Sequence, residues 1–156
     1  GQEFGQYQEW SEARELDWYL LSEPAHQQLQ AYVKELLALY KKYPALYAND
    51  CNTDGFEWMN ADDCSRSIYS FVRKSPTGRN NLLFVINYTP VAREDYRVGV
   101  PKKKQYRLIL NSKDPKFGGD VPVEQTVYKA EKQECDGKEF SFAYPLPAYG
   151  VAVFVY

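Results

Sequence analysis

The sequence predicts a mainly β protein, an antiparallel β-sandwich that is preceded by a loop and one long helix. Short strand-like segments fill the chain from about residue 49 onward, and turn residues such as Gly118-Gly119 and Asp136-Gly137 separate most of them. No helical period occurs between these segments. Because parallel strands need long crossovers, usually helical, an antiparallel sandwich is the expected architecture.

Residues 1–48 differ from the rest of the chain. Residues 1–23 are polar and aromatic without a clean period, which indicates an irregular loop with one helical turn. Residues 24–43 form the only strong helical pattern, with a proline at each boundary, Pro24 and Pro44. Its apolar stripe consists of Leu29, Tyr32, Val33, Leu36, Leu37 and Tyr40. We expect this stripe to rest on the sandwich, on a second copy of the chain, or on a larger body to which the helix belongs.

Eight segments in residues 49–156 have the composition of strands. They are Phe56–Asn60, Ile68–Lys74, Leu82–Asn87, Tyr96–Val100, Tyr106–Leu110, Val123–Lys129, Glu139–Tyr144 and Val151–Tyr156. Two runs, 82–86 and 151–155, are apolar at every position. A strand can be apolar throughout when both of its faces are covered, so these two should lie at the centre of the fold.

Composition excludes several classes of function. The chain has 156 residues and a net charge of −2, without the basic excess typical of nucleic-acid binding. No apolar run approaches the length of about 20 residues that crosses a membrane. Three cysteines without C-x-x-C spacing support neither a disulfide framework nor a zinc site, so we expect reduced thiols, a cytoplasmic location and no metal. Nucleotide-binding and nucleophile-elbow motifs are absent, and the single histidine, His26, is expected to serve packing or the surface.

Aromatic residues make up 16% of the chain, and they are the feature of the sequence that points to sugar binding. Flat sugar faces stack on tryptophan and tyrosine, while amides and carboxylates bind sugar hydroxyls. Gln6, Glu9 and Trp10 form such a mixture in the first loop. Trp58 shares one face of a strand with Phe56, and this face is either part of the core or an exposed glycan platform.

Several motifs together resemble 1,4-α-glucan (glycogen) branching enzymes of the α-amylase superfamily. The first loop reads G-Q-E-F-G-Q, followed by E-W at Glu9-Trp10 and L-D-W at 16–18. Asp54-Gly55-Phe56-Glu57-Trp58 with Asp62-Asp63 resembles the start of the family's C-terminal domain. Segments 87–91 and 96–101 add further matches, so the resemblance covers nearly the whole chain.

The resemblance implies that residues 1–48 are the end of a (β/α)8 barrel and residues 49–156 a complete C-terminal sandwich. Such enzymes transfer α-1,4-glucan segments to form α-1,6 branches in glycogen biosynthesis, by a retaining double displacement. Their catalytic carboxylates lie in motifs of the type G-F-R-x-D and N-H-D, and this sequence contains neither. We therefore expect a C-terminal piece that is inactive alone, with no catalytic residue, cofactor or metal.

The same resemblance names partners and binding residues. The implied partners are an α-glucan such as glycogen or amylose, and the N-terminal module and barrel of the same enzyme. Gln6, Glu9 and Trp10 would line or support the glucan cleft, and Trp58 would contact glucan at the surface. Three alternatives stay open: an independent carbohydrate-binding module, a purely structural sandwich, or the C-terminal domain of another α-amylase-superfamily enzyme.

Overall fold

The computed structural model describes all 156 residues. One helix, α1 (Pro24–Lys42), precedes eight strands. These are β1 (Phe56–Asn60), β2 (Ile68–Arg73), β3 (Leu82–Asn87), β4 (Arg93–Val100), β5 (Gln105–Asn111), β6 (Val127–Lys129), β7 (Phe140–Leu146) and β8 (Val151–Val155). Short 3-10 turns occupy parts of the first loop, at Gln2–Phe4 and Trp18–Ser22. None of the helices combines the length and the apolarity that crossing a membrane requires.

All strand pairs are antiparallel, which confirms the predicted sheet type. Six strands form one sheet in the order β1-β2-β3-β8-β5-β6, and β4 pairs with β7 in a second sheet. The two wholly apolar strands, β3 and β8, lie side by side at the centre of the larger sheet. Their predicted central position is therefore confirmed.

The main hydrophobic core lies between the two sheets. Alternate residues of the six-stranded sheet point into it, for example Leu83 and Val85 on β3 and Phe154 on β8. The smaller sheet contributes buried side chains such as Val98 and Phe142. Since one face of each strand fills this core, the opposite face of the larger sheet is left for α1 and for solvent.

Helix α1 packs on the outer face of the larger sheet through one edge of the predicted stripe, where Tyr32 lies, and through Leu39 beside it. Leu39 and Tyr43 are buried in a second core with Leu110 and Val153. Most of the stripe does not rest on the sandwich, since four of its members remain exposed: Leu29, Leu36, Leu37 and Tyr40. Apolar residues cover a broad arc of the helix, and the sheet contacts only one edge of that arc.

Several strand boundaries differ from the prediction, such as the start of β4 at Arg93 instead of Tyr96, and two of them lie near a proline. Residues 121–126 form a loop, so β6 begins at Val127 instead of Val123, and Pro122, which has no N–H to donate to a ladder, lies at the start of this loop. In contrast, β7 continues through Pro145 to Leu146. The smaller sheet contains only β4 and β7, so both strands are edge strands and can accommodate a proline whose nitrogen faces away from the ladder.

A charged cluster connects the loop after β1 with the turn before β7. The Arg66 guanidinium forms ion pairs with Asp63 and with Asp136, the latter at 3.4 Å, and lies 5.5 Å from the centre of the Tyr96 ring. The side chains of Asp63 and Asp136 are only 7% and 14% exposed. Two nearly buried carboxylates therefore share one cation.

The electrostatics of Asp63 follow from this arrangement. Burial alone would raise the pKa of its carboxyl group. Hydrogen bonds from the Ser65 hydroxyl and the Arg66 amide, together with the positive charge of Arg66, outweigh burial and lower that pKa below its ordinary value. The carboxylate of Asp63 is thus charged and stabilising in the folded protein at neutral pH.

Candidate functional site

An aromatic surface lies on the outer face of strands β1–β3. It consists of Trp58, Tyr69, Phe71, Ile86 and Tyr88, and we call it the aromatic platform. Strand register creates it, since Trp58 pairs with Phe71 and Tyr69 pairs with Ile86 across neighbouring strands. Side chains of directly opposed residues lie close together, so these five form one continuous surface.

Ring contacts fix the orientation of the platform. Trp58 meets Phe71 edge to face, with ring centres 5.7 Å apart, and Phe71 stacks on Phe84 at 4.8 Å. Tyr69 and Tyr88 form a second edge-to-face pair at 5.7 Å. Trp58 nevertheless remains 50% exposed, so this residue is a surface group and not part of the core. The structure therefore decides only between core and surface, and it places Trp58 at the surface.

A β-bulge explains why Trp58 points outward while its successors do not. The register of β1 on β2 shifts between Trp58 and Asn60, and Met59 is the extra residue. Met59 and Asn60 are consequently both buried. The bulge lets β1 bury its second half in the main core while its tryptophan stays on the platform.

The platform encloses a shallow groove of about 530 Å³. Ser67 is its sixth lining residue, and no charged side chain lines it. A surface of this kind suits a neutral ligand with flat apolar faces and hydroxyl groups at its edge. Aromatic rings take up the apolar faces, and the Tyr69 and Tyr88 phenols and the Ser67 hydroxyl offer hydrogen bonds.

Gln6, Glu9 and Trp10 meet at a second surface cavity, of about 570 Å³. Both ends of the Gln6 amide are occupied, because its Oε1 accepts from the Asp17 backbone N–H at 2.9 Å and its Nε2 donates to the Gln8 carbonyl at 2.9 Å. Gln6 therefore shapes the loop. Trp10 is 74% exposed and free to contact another molecule.

His26 is buried beneath this loop and holds it on α1. Its Nδ1 lies 2.6 Å from the Phe4 carbonyl oxygen, which can only accept, so Nδ1 carries the proton. In the neutral imidazole its Nε2, which lies 3.2 Å from the Tyr7 hydroxyl, accepts from that group. Both ring nitrogens are used in packing contacts, as the sequence interpretation expected.

The structure separates the predicted binding residues into two places. Gln6, Glu9 and Trp10 share the first-loop cavity, whereas Trp58 belongs to the platform on β1–β3. No group of three or more His, Cys, Asp and Glu side chains is arranged to hold a metal ion. The three cysteines are unpaired.

Sequence reasoning missed the neighbours of Trp58. Tyr69 and Phe71 alternate with the buried Ile68, Ser70 and Val72 along β2, so they face outward. Outward aromatic residues on a strand that otherwise alternates cleanly are a usable signal for a binding surface. The register that places them beside Trp58 is not visible in a single sequence.

A family model and several known proteins match this chain, and these matches agree with one another. Residues 58–156 match the family model described as "Alpha amylase, C-terminal all-beta domain". The whole chain is 48% identical to a 1,4-alpha-glucan branching enzyme of Butyrivibrio fibrisolvens. It is 40% identical, over 97% of its residues, to the 1,4-alpha-glucan branching enzyme of Aquifex aeolicus.

A relative from Pseudomonas putida with the same enzyme name is 40% identical over 98% of the chain. The chain spans about a quarter of the length of these relatives, between 21% and 24%. The family model covers more than half of the chain, including all eight strands apart from the first two residues of β1. The chain therefore belongs to the alpha amylase C-terminal all-beta domain family.

Proposed function

We propose that this chain works as part of a 1,4-α-glucan branching enzyme and that its aromatic platform binds α-glucan. Identity of 48% over the entire chain to a protein of that name is the observation that carries the enzyme assignment. The half-exposed Trp58 in an uncharged groove carries the binding assignment. The enzyme assignment and the glucan-binding assignment both agree with what the sequence led us to expect.

The reaction that we propose is transfer of α-1,4-glucan segments to form α-1,6 branches in glycogen. We assign the bond-forming chemistry to other parts of such an enzyme, because these residues contain neither the G-F-R-x-D nor the N-H-D motif. The role of this part is then to hold glucan near the enzyme. Reduced cysteines agree with a cytoplasmic location for that enzyme.

The exposed face of α1 supports a second assignment, contact with the remainder of the branching enzyme. Leu29, Leu36, Leu37 and Tyr40 lie open on this face, and the Tyr40 ring packs 5.4 Å from the exposed Tyr47 ring. Contiguous apolar surface of this kind marks an interaction site. Relatives about four times longer offer the partner, namely the barrel and N-terminal module of the same enzyme.

At the first-loop cavity we propose a contribution to the glucan cleft of the same enzyme. Trp10 would contact the glucan directly, since most of its indole is exposed. Glu9 would bind sugar hydroxyls, because it is exposed and lines this cavity. Gln6 would support the loop through its two backbone hydrogen bonds.

Native gels that contain glycogen test the platform. We expect the chain to be retarded, and we expect Trp58→Ala to lose about tenfold in affinity, equivalent to about 1.4 kcal/mol, because the largest exposed ring of the platform is gone. Trp18→Ala is the matched control, since Trp18 is also 50% exposed but lies outside the platform. Equal mobility of the chain in gels with and without glycogen would instead favour a purely structural sandwich.

A further inference from the structure

A second groove, separate from the platform, lies beneath the loop of residues 121–126. The loop, strand β5 and strand β7 enclose about 280 Å³, with Pro122, Glu124, Tyr144 and Pro145 among the lining residues. None of these residues lines the platform or the first-loop cavity. We call this space the loop groove.

Hydrogen bonds at both ends hold the loop in place. At its start, the Val121 N–H donates to the Lys113 carbonyl at 2.9 Å, and the Asn111 side chain donates to the Val121 carbonyl at 3.3 Å. At its end, the Leu108 N–H donates to the Thr126 carbonyl at 2.8 Å. The Tyr128 hydroxyl adds a bond to the Gln125 carbonyl at 3.2 Å. The loop groove is therefore formed before any ligand arrives.

Tyr144 provides the observation that points to a ligand. Its side chain is 98% buried, and its ring packs against Tyr128 and Phe154 at 5.3 and 5.1 Å. Tyr128 uses its hydroxyl within the chain, whereas the Tyr144 hydroxyl forms no hydrogen bond with any other residue. The hydroxyl oxygen itself is not sealed in the interior, so a ligand in the loop groove can reach it and supply a hydrogen-bond partner.

The lining suggests the chemistry of that ligand. Pro122, Val123 and Pro145 form apolar walls, while Tyr144 and Glu124 place a hydroxyl and an unpaired carboxylate at the same space. A ring with apolar C–H faces and several hydroxyls satisfies both kinds of surface. The volume of about 280 Å³ lies just below the range of about 300–1,000 Å³ for ligand sites, which favours a single ring over a long chain.

We propose that the loop groove binds one glucosyl ring of an α-glucan, with the Tyr144 hydroxyl hydrogen-bonded to a sugar hydroxyl. The choice of glucose rests on the proposed function, whereas the groove and its unpaired hydroxyl do not. Together with the platform, this second site would let one sandwich hold two parts of a branched glucan.

An NMR titration of the isotope-labelled chain with maltotriose and with maltoheptaose tests this proposal. The amide signals of Val123 and Glu124 report on the loop groove, and the indole N–H signal of Trp58 reports on the platform. We expect both sets to shift in the chain. Tyr144→Phe removes one oxygen and keeps the buried ring, so we expect it to weaken binding at the loop groove by about five- to tenfold without affecting the Trp58 response.

Tyr19→Phe is the control, because it makes the same chemical change at an exposed residue far along the chain from the groove. Loop-groove signals that do not shift, or that shift with unchanged affinity in Tyr144→Phe, overturn this proposal. If Trp58 responds and the loop groove does not, the platform assignment stands and the second site fails. If only the loop groove responds, the second site stands and the platform assignment fails.

Discussion

Phe154→Ala is expected to lower the free energy of unfolding by about 3–5 kcal/mol. Phe154 is completely buried at the centre of the larger sheet. Its ring contacts those of Tyr128, Phe142 and Tyr144, with ring centres 5.1 to 5.6 Å apart. The substitution removes the ring that joins the two sheets, and the surrounding rings are too rigid to fill the cavity.

Urea unfolding measures this effect, and Phe117→Ala provides the matched control. Phe117 is only partly buried and packs on Tyr32 at the edge of the helix layer, so its loss should cost clearly less. The description of the main core would be contradicted if both variants were destabilised equally. Folding yield at low temperature gives a second readout in case Phe154→Ala is too unstable to titrate.

Arg66→Met has the second large expected effect, a loss of about 2–3 kcal/mol at neutral pH. The substitution keeps most of the length of the side chain but removes the charge that Asp63 and Asp136 share. Two nearly buried carboxylates then face each other without a cation. We place the loss below that of a fully buried pair, because the Arg66 side chain is itself 39% exposed and therefore solvated.

The pH dependence separates this electrostatic cause from lost packing. In the unmodified chain the folded-state pKa of Asp63 is lowered, so its stabilising contribution is complete above the ordinary carboxyl pKa of about 4 and is lost as pH falls through the folded-state value. In Arg66→Met, protonation of the Asp63 and Asp136 carboxylates instead relieves the repulsion between them. The stability difference between the two proteins should therefore narrow from pH 7 to pH 3.

Arg66→Lys serves as the control for that experiment, because it preserves the positive charge. We expect it to lose less than half of the stability that Arg66→Met loses. A stability difference that stays constant across the pH range would show that Arg66 acts through packing on Tyr96 alone.

Much of the fold follows from local sequence. The bounds of β1 and β3 agree with the prediction, because turn residues flank both and Leu82–Ile86 is apolar throughout. The packed side of α1 could not be predicted. Apolar residues surround more of the helix than one sheet covers, and the choice of Leu39 and Tyr43 over Leu36 and Leu37 depends on tertiary contacts.

In the candidate sites, too, some features follow from local sequence and others from tertiary contacts. Trp58 could be selected from sequence because it shares one face of a predicted strand with Phe56. Its partners Phe71 and Ile86 come from other strands, and the loop groove depends on where residues 121–126 leave the sheet. Cross-strand register and loop position are long-range properties, which single-sequence patterns do not specify.

Fluorescence of a chain with a single tryptophan tests the central claim, glucan binding at the platform, most directly. Replacing Trp10 and Trp18 by phenylalanine leaves Trp58 as the only one of three tryptophans. Titration with maltoheptaose should then give a saturable shift of emission to shorter wavelength, because bound sugar displaces water from an indole that is 50% exposed. An emission spectrum that does not change up to the solubility limit of the sugar would contradict the claim.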